Sequence, residues 1–262
     1  MTLRIAIHGA TGRMGQRLVA LTHADPHLTL AAAIASPTSR HLGTDAGTLA
    51  GIGPIGVPIT AALAEPVQVV IDFSTPTGTR SALHFCRTQR VPIVIATTGH
   101  TADERGQLDV AAQDVAVLVA PNTSLVVNLL FKLTQLTATA LRDKDFDVEI
   151  IERHHRFKKD SPSGTAAHFA RIVQTAMEQR NVRHGREGLL GERPRHEIGM
   201  HAIRAGDNVG EHTLVFSTLG ETLELVHKGY SRDSYARGAL QAAQFLADKP
   251  FGTYTMADVL GL

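Results

Sequence analysis

The sequence is short of sulfur, with one cysteine, Cys86. A single thiol excludes an internal disulfide and a cysteine-rich zinc site, which fits a reducing compartment. It sits in the helix-like apolar stretch Ala82-Leu83-His84-Phe85-Cys86, where a small core residue is the first reading and a reactive thiol the second. Long apolar runs are missing too. None approaches the roughly 18–20 residues that a helical bilayer span needs, so no membrane is expected as a partner. The chain opens into a strand-like run, Leu3 to His8, without a charged leader and apolar core. A signal peptide is therefore not expected, and the cytoplasm is. Net charge is only +1, so no global field recruits nucleic acid or an acidic membrane. No internal repeat or low-complexity tract is visible.

What is present is ordinary for a globular protein: 262 residues, 43% hydrophobic and 19% charged, enough for one large domain or two modest ones. Histidine is frequent, at 14 residues. The first half alternates strand-like and helix-like segments. Arg4 to His8, Leu28 to Ala35, Gln68 to Phe73, Pro92 to Ala96 and Val115 to Val119 read as strands. Thr11 to Thr22, Pro76 to Gln89 and Asp103 to Gln113 read as helices. Continuous apolar strands separated by helices indicate a parallel sheet covered on both faces.

The middle changes character. Leu125 to Leu141 and Pro162 to Gln179 read as helices, and Asp147 to Glu152 alternates like a strand with one wet face. His196 to Arg204, His212 to Thr218 and Thr222 to His227 are further strands. The pattern predicts an α+β domain with a mixed or antiparallel sheet. Gln179 to Pro194 is charged and glycine-containing, and is expected to be a mobile loop. Asp233 to Ala247 reads as a helix. Tyr254 to Leu262 is expected to pack back on the first domain.

Gly9-Ala10-Thr11-Gly12-Arg13-Met14-Gly15 follows the first strand and opens the first helix. Gly9 permits the tight turn, Gly12 lets backbone approach a pyrophosphate, and Gly15 lets the helix pack closely on the sheet. Amides at the helix start then hold phosphates. Thr11 stands where the common fingerprint has its middle glycine. The second strand ends Ala35-Ser36-Pro37-Thr38-Ser39-Arg40, without the carboxylate that usually binds the adenosine ribose. Arg40, with Arg13 across the turn, better suits a 2′-phosphate, so NADPH is preferred over NADH. The alternative is that Arg40 is a solvated loop charge and both cofactors bind. The expected fold class is α/β: a Rossmann-type, doubly wound parallel sheet with a second α+β domain of mixed sheet. Residues 1–124 plus 233–262 would be the dinucleotide-binding domain. Residues 125–232 would serve substrate binding and oligomerisation.

The densest chemistry lies in Glu149 to Ala166, where a strand runs into His154-His155-Arg156-Phe157-Lys158-Lys159-Asp160 and then a helix start at Pro162. Proline suits the first helical position, with Ser161 as cap. The amides of Ser163, Gly164 and Thr165 would then point outward as an anion pocket, and Gly164 removes a side chain that would block a ligand. His155 and Lys158 add positive charge, for one or two carboxylates. Histidine is the usual general acid near neutral pH, which suits His154 for giving a proton after hydride transfer. The bland alternative is a solvated basic loop. Nucleic-acid binding is disfavoured because no aromatic interleaving accompanies the run. No metal is expected.

These stretches, with Asp72-Phe73-Ser74, Ala96-Thr97-Thr98-Gly99 and Arg204-Ala205-Gly206-Asp207-Asn208-Val209-Gly210-Glu211-His212, resemble the dihydrodipicolinate reductase family from about residue 4 to the end. The resemblance implies hydride transfer from NAD(P)H to a small dicarboxylate in lysine biosynthesis. It implies that His154 is the proton donor and that Lys158 supports charge at the substrate. His155, Lys158, Gly164 and Thr165 would bind the dicarboxylate, and Gly9 to Met14 the dinucleotide. Ala96, Thr97 and Thr98, with Ala120, Pro121, Asn122 and Thr123, would line the nicotinamide side. A homotetramer built through the second domain's sheet, and closure of the domains around the ligands, are also implied. On this reading the glycine turn and the double-histidine segment face one crevice. Ala35 stands where the family often has a ribose-binding acid, and Ala96 where it has a glycine. The rival readings are a reductase of similar build acting on another acid, such as an amino-acid dehydrogenase, and a dinucleotide sensor without catalysis.

Overall fold

The computed structural model describes residues 2–262. The chain divides into two compact units. One runs to Leu125 and takes back Arg232–Leu262; the other is Val126–Ser231.

The first unit is a seven-stranded parallel sheet. Its elements are β1 (Leu3–His8), α1 (Arg13–Ala24), β2 (Leu28–Ile34), α2 (Ala46–Leu49), β3 (Ile59–Thr60), β4 (Val69–Asp72), α3 (Pro76–Gln89), β5 (Ile93–Ile95), α4 (Ala102–Ala111) and β6 (Ala116–Val119). After the excursion through the second unit come α7 (Asp233–Leu246), β12 (Gly252–Tyr254) and α8 (Met256–Leu260). The spatial order is β12-β6-β5-β4-β1-β2-β3. The strand order reverses between β1 and β4, the switch point at which open α/β sheets bind ligands.

Strands buried on both faces need apolar side chains of both parities, and β1 supplies them. Ile5 and Ile7 join the core that α1 and α7 cover, whereas Ala6 joins the core under α3 and α4. Each buried isoleucine contributes roughly 1.5–3 kcal/mol. Cys86 lies in the second of these cores, fully buried, and burial pushes its thiol pKa up. The helices begin where the sequence offers caps. Thr75 accepts from the Gly78 amide, and Thr101 forms a capping box with Glu104. The tail packs on this sheet as expected, with β12 extending it beside β6.

The second unit holds α5 (Leu125–Leu141), β7 (Asp147–His154), α6 (Gly164–Met177), β8 (Asn181–His184), β9 (Glu197–Arg204), β10 (Gly210–Thr218) and β11 (Glu221–Gly229). Its sheet has the order β11-β10-β7-β9-β8 and is mixed: β10 is antiparallel to its neighbours, whereas β7, β9 and β8 run parallel. α5 and α6 share a core with β7, β9 and β10 through Leu130, Phe169, Val173, Val148, Ile150, Ile198, Leu214 and Phe216. The fold class is thus the expected one.

Two local expectations are corrected. The 179–194 segment is not a structureless loop. It contains β8 on the edge of the sheet, and beyond it Arg186 and Arg193 both bind Glu149 of β7. Its charges serve ion pairing, which composition alone does not separate from solvation. The helix after the histidine segment begins at Gly164, not Pro162, and its cap is Ser163, whose hydroxyl accepts from the Ala166 amide. Ser161 therefore caps nothing. Among the described residues, no helix is long and apolar enough to cross a membrane.

Candidate active site

In the first unit, the predicted cofactor segments lie at one edge of the sheet. Gly9 to Met14 follow β1, Arg40 lies beyond β2, Ala96 to Thr98 follow β5, and Ala120 to Thr123 follow β6. Parallel strands put all these carboxyl ends on the same side. The amides of Gly9 and Ala10 donate to the Ile34 carbonyl, and Gly12 donates back to Gly9. Gly9 has φ +83°, and a Cβ there would stand 2.3 Å from the Phe73 carbonyl oxygen. At Gly15 a Cβ would fall 2.2 Å from the Gly9 oxygen. Both glycines are required by close approach of backbone. Gly12 is the N-cap of α1 and offers no side chain to its amides. Such a helix start suits the phosphates of a dinucleotide.

The remaining residues of this group divide. Met14 packs on the core, while Arg13 and Arg40 are exposed, Arg40 donating to His41 Nε2 at 3.2 Å. Thr11 is held through its carbonyl by Gln16. Thr98 is exposed, but the Thr97 hydroxyl accepts from the Ser74 amide and donates to Asp72 Oδ2 at 2.8 Å. Ala96 and Ala120 are buried and backbone-bonded to the neighbouring strands. Pro121 is exposed, Asn122 accepts from the Ser124 amide, and the buried Thr123 hydroxyl donates to the Tyr235 carbonyl. The hydroxyls of Thr97 and Thr123 are thus already engaged within the protein.

In the second unit, β7 runs further than the sequence indicates and carries His154 on its last position. Val148, Ile150, Glu152 and His154 alternate onto one buried face. Glu152 is fully buried. It receives Nδ1 of His154 at 2.5 Å, two nitrogens of Arg204 at 2.6 and 2.8 Å, and the Ser163 amide at 3.0 Å. Burial pushes its carboxyl up, but the hydrogen bonds from His154, Arg204 and Ser163 outweigh this and hold it down at about 2. The expectation that the Ser163 amide faces outward is accordingly corrected: it is bound to Glu152. At Gly164 no atom stands within 4 Å of where a Cβ would sit.

His212 of β10 is the cross-strand partner of Glu152, and His227 of β11 is the partner of His212. The His154 and His212 rings meet edge to face at 5.4 Å, and His212 stacks with His227 at 5.9 Å. Burial first, then the nearby His154 and His227, push His212 down to about 3. Lys158 acts on the same ring from the loop after β7, where its Nζ pairs with Asp160 at 2.9 Å. The backbone of His155 and Arg156 is fixed by the carbonyls of Asn208 and Gly206. His154, His155, Lys158 and the Ser163–Thr165 turn are therefore brought together at one end of this sheet. Glu152, Arg204 and His212 are the members that sequence reasoning missed. Strand alternation was the available signal, since Glu152 and His154 share the parity of Val148 and Ile150.

Two family profiles cover nearly the whole chain: dihydrodipicolinate reductase, N-terminus, over residues 3–123, and dihydrodipicolinate reductase, C-terminus, over 126–260. The chain belongs to the dihydrodipicolinate reductase family. It is an oxidoreductase. A 4-hydroxy-tetrahydrodipicolinate reductase of Hahella chejuensis is 48% identical, covering 99% of both chains. One of Rhodopirellula baltica is 46% identical, over 99% of this chain and 96% of its own. Among solved structures, a dipicolinate-bound dihydrodipicolinate reductase from Paenisporosarcina sp. TG-14 superposes with a TM-score of 0.78 at 25% identity, covering 98% of this chain and 99% of its own. An amine dehydrogenase from Mycobacterium smegmatis, with a TM-score of 0.62 at 12% identity, covers 98% of this chain and 95% of its own and shares the fold.

Proposed function

We propose that this chain reduces 4-hydroxy-tetrahydrodipicolinate, by way of dihydrodipicolinate, to tetrahydrodipicolinate, using NAD(P)H in lysine and diaminopimelate biosynthesis. The observation that carries the reading is the end-to-end match to the Hahella relative of that activity. The dipicolinate bound by the Paenisporosarcina relative supports a small cyclic dicarboxylate as substrate class. The same reading puts the enzyme in the cytoplasm.

The dinucleotide, when bound, supplies the hydride from its reduced nicotinamide. The amides at the start of α1, with the turn Gly9 to Met14, hold its pyrophosphate. Ala96, Thr97 and Thr98, with Ala120 to Thr123, flank the nicotinamide, Thr97 and Thr123 by shape and backbone because their hydroxyls are engaged. NADPH is the preferred donor. Support comes from the absence of an acid at the end of β2 and from the two exposed guanidinium groups of Arg13 and Arg40.

His155, Lys158 and the backbone of Gly164 and Thr165 bind the substrate carboxylates, with Ser163 ordering that turn as helix cap. His154 gives the proton that the reduced ring takes up, and Lys158 balances charge beside it. Holding the ring and the nicotinamide in one orientation contributes roughly 7–11 kcal/mol of barrier lowering in well-aligned cases. The same reading has the chain assemble as a homotetramer through the sheet of the second unit. Its edge strand β11 leaves Leu223 and Val226 exposed, in keeping with a contact there.

The test is to mix purified protein with enzymatically generated 4-hydroxy-tetrahydrodipicolinate and either reduced cofactor, and to follow loss of the reduced nicotinamide absorbance. The expected result is oxidation dependent on both components, with a higher kcat/KM for NADPH. No oxidation above background with either cofactor rejects the proposal.

A further inference from the structure

We propose that Glu152, locked by Arg204, is the positioning residue of the proton-donating site: it binds Nδ1 of His154, so that Nε2 is the atom that gives up the proton, and it ties that ring to the substrate-binding turn of α6. The inference rests on the reading of His154 as proton donor.

A carboxylate buried completely is unfavourable unless it is paired and hydrogen-bonded. Glu152 meets that condition with donors from three elements: His154 on its own strand, Arg204 at the end of β9, and the Ser163 amide at the cap of α6. Arg204 already pairs with both of its oxygens, so the carboxylate does not need the histidine for charge balance. The contact to Nδ1 instead acts on the ring. A neutral imidazole has one donor and one acceptor nitrogen, and a carboxylate at Nδ1 selects the form with its proton there. In the acid form both nitrogens carry protons. During the reaction the Nε2–H bond breaks, its proton passes to the ring atom that requires it, and the remaining Nδ1–H stays on Glu152. Solvent then restores the Nε2 proton.

The same carboxylate reaches the substrate side. Ser163 lies immediately before Gly164 and Thr165, and its amide is fixed on Glu152 Oε1. Arg204 also donates to the Asp160 carbonyl, so the loop between the donor histidine and the turn is anchored on the same pair. The ring orientation and the turn position are thus set by one group. His212 on β10 faces the His154 ring, with His227 behind it on β11, and Lys158, paired with Asp160 on the loop, acts electrostatically on His212.

The variant Glu152→Gln keeps the shape and removes the charge. In the variant, kcat per folded enzyme is expected to fall by roughly 10²-fold, because a general acid that is no longer oriented transfers its proton poorly. The Kd for NADPH, measured without substrate, should stay unchanged, because the cofactor segments belong to the other unit. A purely structural role for Glu152 would lower the folded fraction and leave kcat per folded enzyme unchanged. Nitrogen-15 NMR of histidine-labelled wild-type protein reports the tautomer without any substitution: deprotonated His154 should hold its proton on Nδ1.

A kcat per folded enzyme equal to that of wild type in Glu152→Gln overturns the proposal, as does an Nε2–H tautomer in the wild type. Should Glu152→Gln fail to fold, the tautomer measurement decides alone. His154→Ala checks the underlying reading separately. Turnover lost there with an unchanged kcat in Glu152→Gln rejects only the positioning role, whereas full turnover in His154→Ala rejects the donor itself.

Discussion

Nδ1 of His8 lies 2.9 Å from Oδ1 of Asp72, joining the last residues of β1 and β4 at the switch point of the parallel sheet. Asp72 is fully buried and also accepts from the hydroxyls of Ser74, Thr79 and Thr97. His8 is the residue before Gly9, and Thr97 begins the segment after Ala96. One carboxylate therefore braces both the proposed pyrophosphate turn and a proposed nicotinamide wall.

Removal of that brace is the first prediction. Asp72→Ala leaves a set of buried donors without an acceptor and should destabilise the protein by about 3–5 kcal/mol. Burial pushes the Asp72 carboxyl up, but the hydrogen bond from His8 and those from Ser74 and Thr79 bring it below its ordinary value. Its folded pKa thus lies below the unfolded one, near ~3.9. The stabilisation is present above that pH and is lost as pH falls through the folded value. Urea unfolding should show a smaller acid-dependent loss below about pH 4 in Asp72→Ala than in wild type, where Glu149 and Glu152 supply the part that remains.

His212 works at higher pH and with the opposite charge. Its ring stays neutral in the folded protein down to about 3, whereas an unfolded histidine takes its proton near ~6.5. Between those values the unfolded chain binds more protons, so stability falls as pH drops below ~6.5. The slope of ~1.4 kcal/mol per pH unit amounts to roughly 2 kcal/mol by pH ~5. His212→Phe keeps a ring between Phe169 and His227 and removes the titration. Unfolding free energies compared at about pH 7 and pH 5 should diverge less in the variant than in wild type.

The two buried carboxylates explain what was legible in the sequence and what was not. The glycine turn, the parallel strands and the His154–Thr165 run are contiguous motifs, and each is local chemistry that a sequence displays. Asp72 ends the apolar β4 and Glu152 lies two residues before the end of the alternating β7, and each has a decisive partner on another element, 64 residues away for His8 and 52 for Arg204. Only the sheet register brings them together. Period-two alternation does place Glu152 on the face of Val148 and Ile150, yet a charged residue at a strand end reads as solvated until Arg204 is known to face it. The cap of α6 escaped for a related reason: Ser163 is fixed from outside its own segment, by Glu152. The 179–194 segment was misread because arginines paired across a fold have the same composition as arginines in water.

That last segment yields its own prediction. Arg193 donates to Glu149, Asp147 and the carbonyls of Val148 and Glu197, and Arg186 bridges Glu149 and Glu197. Burial pushes the Glu149 carboxyl up, but Arg186, His201 and Arg193 bring it down to about 2. Arg193→Ala removes one of the two arginines that hold residues 185–196 against β7 and β9 and leaves the Arg186 pairs in place. Amide hydrogen exchange in 185–196 should accelerate at least about tenfold, with α1 and the parallel sheet unaffected. Unchanged protection in that segment would show that the pairs do not order it.

Gly15 tests the proposed dinucleotide turn by space alone. A methyl group there would stand 2.2 Å from the Gly9 oxygen and 2.6 Å from Ala10 Cα, and backbone cannot yield as a side-chain tip can. Gly15→Ala must push α1 away from the turn, at about 1–3 kcal/mol. The displaced amides should weaken NADPH and NADH binding alike, while any binding of dipicolinate at the proposed substrate site of the second unit stays as it was. Equal cofactor affinity in variant and wild type would mean that the phosphates bind elsewhere.

Arg40 separates the two cofactors where Gly15 does not. It lies past the end of β2, exposed, with its Nε directed to His41 and no carboxylate at the position where a ribose-binding acid is common. A guanidinium there can pair with a 2′-phosphate, and a charge-assisted hydrogen bond of that kind contributes about 1.5–3 kcal/mol. Arg40→Ala should therefore raise the KM for NADPH by roughly tenfold or more and leave that for NADH within about twofold. Arg13 remains as a second cation in the variant, so a residual preference for NADPH is expected, and Arg13→Ala added to Arg40→Ala should abolish it. A KM ratio unchanged in both variants would remove the physical basis for the proposed NADPH preference, since no other cation has been assigned to that phosphate.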